Sequence, residues 1–150
     1  MSESTRFFEI FVQVQPGDLD QNGHVNNVVY LRWAQDAAAA HWSIVAPLAD
    51  QQKLAWIILR HEIDYKQPAF LADKLSVRTW VGAASRFKFE RFTEIRRSTD
   101  DAILAKARTV WCALDVQTRR PAFVGPELRA CFSVTSFRES GSANAPDGKD

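Results

Sequence analysis

The pattern of apolar residues predicts an α+β domain in which one long buried helix is wrapped by a curved, antiparallel sheet of five strands. Three observations carry this. The first run, Phe7 to Gln15, alternates strictly; the stretch from Val25 to about Val45 has no alternation and contains four consecutive alanines; and four more strand-like runs follow it without a second long helix.

In the first run Phe8, Ile10, Val12 and Val14 share one face and Phe7, Glu9, Phe11 and Gln13 the other, the pattern of a strand with one buried side. Pro16 and Gly17 end it. The helix from Val25 to Val45 carries Val28, Val29, Leu31, Trp33 and Trp42 around its alanines and is apolar nearly all round, so it is expected to be buried. The following strands are expected at Leu54 to Tyr65, Lys74 to Val81, Arg86 to Arg97 and Ala102 to Asp115, with a turn at Ser98 to Asp101. Phe92 falls out of the alternation begun by Phe87 and Phe89, which predicts a bulge or a change in which face is covered. Gly125, Pro126 and Glu127 open a short terminal helix. Residues 1–137 are read as a single domain, and 138–150, rich in Ser, Gly, Pro and charge, as a disordered tail.

At 150 residues, 46% hydrophobic and 25% charged, the chain has the balance of one globular core. A net charge of +1 gives neither a nucleic-acid footprint nor a polybasic membrane patch. Met1 to Phe11 lacks an apolar signal region, and the uncharged stretch Ala37 to Ala49 is too short to span a bilayer, so a cytoplasmic protein is expected. Cys112 and Cys131 have no CxxC or His companion, so both are read as buried apolar groups, with no metal site or disulfide expected.

The chemistry concentrates in Gly17-Asp18-Leu19-Asp20-Gln21-Asn22-Gly23-His24-Val25-Asn26-Asn27-Val28-Val29-Tyr30. Asp18, Asp20, Asn22 and His24 recur every second residue, which in an extended loop aims them to one side. The free N–H groups of the helix start, around Val25 to Asn27, then carry partial positive charge suited to an oxyanion. A thioester needs a polarised carbonyl and an attacking group or activated water; its thiolate leaves without strong acid catalysis. Asp20 can be nucleophile or general base, with Asn22 and His24 orienting water. The same residues can equally serve as helix caps and turn formers, and His24 as a structural histidine.

This run, with Tyr30, resembles the signature of the 4-hydroxybenzoyl-CoA thioesterase superfamily of hotdog folds, and is similar to the DxNxHVNN element of its acyl-ACP thioesterases. Ile63-Asp64-Tyr65, Pro68, Asp73 to Val77, Ser85-Arg86-Phe87 and Leu114-Asp115 with Thr118 to Pro121 resemble later strands of the family, so the likeness covers Phe8 to Phe132. It implies an acyl-CoA thioesterase with Asp20 as the catalytic carboxylate, Asn22 and His24 beside it, and the backbone N–H of Asn27 polarising the carbonyl. Asn27 departs from relatives with a histidine there, and Gln67 and Pro68 stand where acyl-ACP thioesterases carry a further Glu. Tyr30, Ser85 and Arg86 are expected to touch substrate, the last two at the pantetheine or phosphates of CoA, with a plain turn and a solvated charge as the alternative reading of that pair. Glu62 and Asp64 are expected to face solvent or to pair with Arg60 or Lys66, and Asp36, on a buried helix, to need a partner such as His24 or Arg32.

No cofactor is implied. The substrate is an acyl-CoA or acyl-ACP, with CoA favoured because the chain has no basic excess for an acidic carrier protein. A hotdog hydratase or dehydratase, and a non-catalytic acyl-thioester binder, are the alternatives. Unpaired sheet edges, with Trp80 and Phe92 as covered surface, predict a homodimer or dimer of dimers whose site is shared between subunits.

Overall fold

The structure is a computed structural model that describes residues 7–133. Its elements are β1 (Phe8–Gln13), a single 3₁₀ turn (Pro16–Asp18), α1 (Asn27–Val45), α2 (Leu48–Lys53), β2 (Leu54–Tyr65), β3 (Lys74–Ala84), β4 (Lys88–Arg97), β5 (Ile103–Asp115) and α3 (Pro126–Ser133). The expected tail at 138–150 lies outside the described residues. The five strands form one sheet in the order β1-β3-β4-β5-β2, every pair antiparallel.

Because side chains alternate across a strand, register assigns each residue to a face. On the inner face Val77, Ile95, Ala105 and Tyr65 lie in one row, Thr79, Thr93, Ala107 and Ile63 in the next, and Val81, Arg91, Thr109 and His61 in a third. α1 packs on this face against β3 and β1 with Val29, Tyr30, Trp33 and Ala37. Leu75, Val77, Leu104 and Ala105 beneath it are fully buried, and each large side chain there contributes roughly 1.5–3 kcal/mol. The alanines let helix and sheet approach closely.

On the outer face Glu9, Arg78, Glu94, Lys106 and Asp64 follow one another across all five strands with alternating charge. Glu9 takes Arg78 at 3.0 Å and Ser76 at 2.6 Å, and Glu94 takes Lys106 at 3.8 Å and Arg96 at 3.0 Å.

Several sequence expectations need correction. The helix starts at Asn27 rather than Val25, because the Val25 N–H is spent on Ala69 O (3.0 Å) and Asn26 caps the helix by accepting from Val28 N–H (3.1 Å). It is not buried all round: Val28 and Ile44 are largely exposed, and so is Asp36. Phe92 is in phase on the outer face, stacked on its cross-strand neighbour Trp80 at 6.0 Å, and the irregularity lies in β3 between Val81 and Ala84. The inward position beside it is Arg91, a charge that an apolar alternation hides. Cys112 is buried, whereas Cys131 is only half-buried on α3.

Candidate active site

The loop between β1 and α1 is built by its own backbone. Gln15 N–H bonds Asp18 Oδ2 at 2.8 Å, and Arg32 of α1 reaches Asp18 Oδ1 at 3.0 Å. Asp18 is therefore buried as a brace between loop and helix, and does not converge with the other polar residues. Arg32 is thereby joined to Asp18 rather than to Asp36. From Leu19 the chain turns back on itself: Leu19 bridges Val25, Asp20 N–H bonds His24 O (2.7 Å), and Gly23 N–H bonds Asp20 O (3.1 Å). Gly23 sits at φ +80°, a left-handed value that a residue with a Cβ adopts only with strain. The segment is a tight turn rather than an extended ribbon, which is why every-second-residue spacing does not put Asp18 beside Asp20.

Asp20 stands exposed at the mouth of this turn. Its Oδ1 accepts the backbone N–H groups of Asn22 (2.8 Å) and His24 (3.3 Å). Oδ2 has no hydrogen bond among the described residues. Asn22 and His24 thus meet Asp20, but through their main chain; the His24 ring packs edge-on against Phe70 at 5.2 Å. Two residues past Val25 the helix begins, and the N–H of Asn27, its first, has no acceptor among the described residues. The carbonyl of Asn27 accepts from the Tyr65 hydroxyl at 3.0 Å, which ties the helix start to the end of β2. Burial raises the pKa of Tyr65, so the hydroxyl stays a donor at neutral pH.

Tyr30 lies deeper, 2% exposed, with its hydroxyl accepting from Ala69 N–H at 3.1 Å. Burial raises its pKa, and it anchors the loop after β2 to the helix. Ser85 and Arg86 form the turn after β3: Ser85 Oγ accepts from Lys88 N–H (3.3 Å), and the Arg86 guanidinium stands over the Phe87 ring at 5.5 Å. β1 and β3 are antiparallel with Gln13 opposite Lys74, so the Asp20 loop adjoins the start of β3. Ser85 lies beyond the other end, about 35 Å along the strand, and cannot meet Asp20 of its own chain. Glu62 pairs with Arg60 at 2.7 Å, as expected, and with Arg108 at 3.5 Å.

An apolar rim around the turn was not visible in the sequence. Val28 is 62% exposed, and Phe70, Leu71 and Tyr65 are each at least 40% exposed. The signal lay in the loop after β2, where Phe70-Leu71 stands among turn residues without a strand to bury it. Among the described residues no group of three or more His, Cys, Asp or Glu is placed to hold a metal ion, and no helix is long and apolar enough to cross a membrane.

A long helix laid on a five-stranded antiparallel sheet, with an acidic turn at the helix start, defines a hotdog-fold protein. The model of the thioesterase-like superfamily matches residues 14–132, and the chain belongs to that family. Among solved structures it is similar to the 1,4-dihydroxy-2-naphthoyl-CoA thioesterase of Synechocystis (22% identity, TM-score 0.73, covering 83% of this chain and 94% of that one). It is also similar to the probable thioesterase YbaW of Escherichia coli (21%, 0.71, 83% and 95%). A Thermus thermophilus thioesterase complexed with coenzyme A and zinc matches at 24% identity and TM-score 0.69, over 81% of this chain and 93% of that one. No curated protein matches the sequence.

Proposed function

We propose that this protein hydrolyses acyl-CoA thioesters, with Asp20 as the catalytic carboxylate. The observation that carries the reading is a carboxylate held by two backbone N–H groups in the loop that leads into α1, with one oxygen, and the helix-start N–H of Asn27, free of partners among the described residues. A thioester carbonyl oxygen hydrogen-bonded to Asn27 N–H gains the partial positive charge of α1 as it becomes an oxyanion. Asp20 Oδ2 then either attacks the carbonyl carbon, giving a mixed anhydride that water hydrolyses once CoA has left, or takes a proton from a water that attacks it. The C–S bond breaks and CoA departs as thiolate, which needs little acid assistance because a thiol pKa is about 8.5. Asn22 and His24 hold Asp20 through their backbone. The bound coenzyme A of the Thermus thermophilus relative supports CoA as the carrier.

The working unit in this reading is a homodimer formed along β2. That strand is a sheet edge, paired on one side only by β5, and it exposes Ile57 (42%) and Leu59 (48%). A long unprotected apolar edge is a pairing site. Antiparallel pairing of two β2 strands about their middle brings the Leu54 end of one chain to the Tyr65 end of the other. The Ser85-Arg86 turn lies at the Leu54 end of the sheet, so it approaches the partner's Asp20 loop and supplies a guanidinium for the CoA phosphates.

The test is turnover of an acyl-CoA panel, read as released thiol, in the wild-type chain and Asp20→Ala. Hydrolysis of at least one chain length is expected, with kcat lowered by roughly 10²–10⁴ in the variant and KM little changed. Absence of turnover across short, long and aromatic acyl groups would leave a non-catalytic binder. Near-normal kcat in Asp20→Ala would move the carboxylate role elsewhere.

A further inference from the structure

Between the second half of α1, the start of β2 and α3 the molecule holds a cavity of about 680 Å³, within the range of small-molecule sites. Trp42, Trp56, Phe89, Trp111 and Phe132 line it, together with the polar residues Glu90, Arg91 and Arg129. No residue of the Asp18 to Tyr30 segment takes part, so it is not the cleft at Asp20 of its own chain.

Arg91 is the unusual member. It is only 8% exposed, and both of its hydrogen bonds leave from Nη1, to Thr79 Oγ1 at 3.1 Å and His41 Nδ1 at 3.0 Å. Neither partner carries charge: burial, and then the guanidinium itself, lower the His41 pKa to about 3, so its Nδ1 is a neutral acceptor. Nε and Nη2 make no hydrogen bond, and no carboxylate lies within ion-pair distance of Arg91, among the described residues. The nearest acid in sequence, Glu90, is already committed to Arg108 Nε at 2.6 Å and Ala83 N–H at 3.1 Å. A buried guanidinium without a counter-ion is costly, and a planar fork with one edge free matches a carboxylate.

We propose that this cavity binds an apolar monocarboxylate, its oxygens on the free edge of Arg91 and its body among Trp42, Trp56, Phe89, Trp111 and Phe132. The requirement is chemical: one anionic group on an aliphatic or aromatic body. A free acid supplies it, and so does the distal carboxylate of an acyl chain. The inference stands on the cavity and does not depend on hydrolysis at Asp20.

Tryptophan fluorescence reports occupancy, since Trp42, Trp56 and Trp111 are in the wall. Decanoate is titrated against decanol to test the free acid, and the CoA monothioester of decanedioic acid against decanoyl-CoA to test the acyl chain. In at least one pair the carboxylate-bearing ligand is expected to bind roughly tenfold tighter or more, the worth of a charge-assisted hydrogen bond. Arg91→Met should abolish the preference while keeping binding of the neutral ligand. Should that variant fail to fold, Arg91→Lys, which keeps the charge, is expected to retain the preference in weakened form. Asp20→Ala should bind decanoate as the wild type does, whatever its turnover. Equal affinity for the charged and neutral members of both pairs, or no saturable binding of any, overturns the proposal.

Discussion

His41 offers a direct measure of how the interior treats charge. It is 1% exposed, stacked on Phe8 at 4.7 Å and bonded to the Arg91 guanidinium, and its pKa falls to about 3 from an ordinary 6.5. Above pH 6.5 the ring is neutral both folded and unfolded, and contributes no pH dependence. Below that value the unfolded chain takes up a proton that the folded chain refuses, so stability falls as pH drops until the folded pKa is reached. Each unit is worth about 1.36 kcal/mol, so at pH 5 the loss through His41 is about 2 kcal/mol, a sizeable share of a typical 5–15 kcal/mol. Urea unfolding at pH 7.5 and pH 5, on the wild-type chain and on His41→Gln, isolates the contribution. Gln keeps a neutral acceptor for Arg91 and does not titrate, so its stability should fall by about 2 kcal/mol less. If both proteins lose the same amount, the ring is already protonated in the fold or reachable by water, and the neutral Arg91–His41 contact is wrong.

Other expectations concern separate parts of the molecule. Leu59→Asp, on the free edge of β2, should leave the fold intact but convert the dimer to monomers and lower thioesterase activity, checked by light scattering at assay concentration; a wild-type monomer with full activity would refute the shared site. Tyr30→Phe removes the acceptor for the buried Ala69 N–H and should destabilise by about 1–3 kcal/mol in urea unfolding. Leu104→Ala, fully buried near the start of β5, should lose about 2–5 kcal/mol by the same measurement.

The strands were legible because β-alternation needs only the sequence of apolar and polar residues, and four of the five were placed within about two residues of their ends. The site was legible as a segment and not as a geometry. Asp20, Asn22 and His24 do come together, yet what unites them is main-chain N–H donation closed by Gly23, which side-chain spacing does not encode. Asp18 looks like one of them in the sequence because its partner, Arg32, lies fourteen positions along in α1. Arg91 and His41 escaped notice for the opposite reason: each is a single polar residue on an apolar face, and only the fold discloses that they face each other fifty positions apart. α2, one turn and a half at Leu48–Lys53, is too short for periodicity to reveal.

The alternating charges on the outer face do more than solvate it. A strand displaced by one residue would turn its apolar set outward. A displacement by two keeps the faces correct, and apolar burial alone discriminates poorly against it. Between β3 and β4 both such errors bring like charges together: one sets Arg78 opposite Arg96 and the other sets Lys74 opposite Arg96, where the native pairing has Arg78 facing Glu94 and Ser76 facing Arg96. The ladder therefore acts as a proofreading device during assembly of the sheet. It penalises the two misalignments that the hydrophobic core would tolerate.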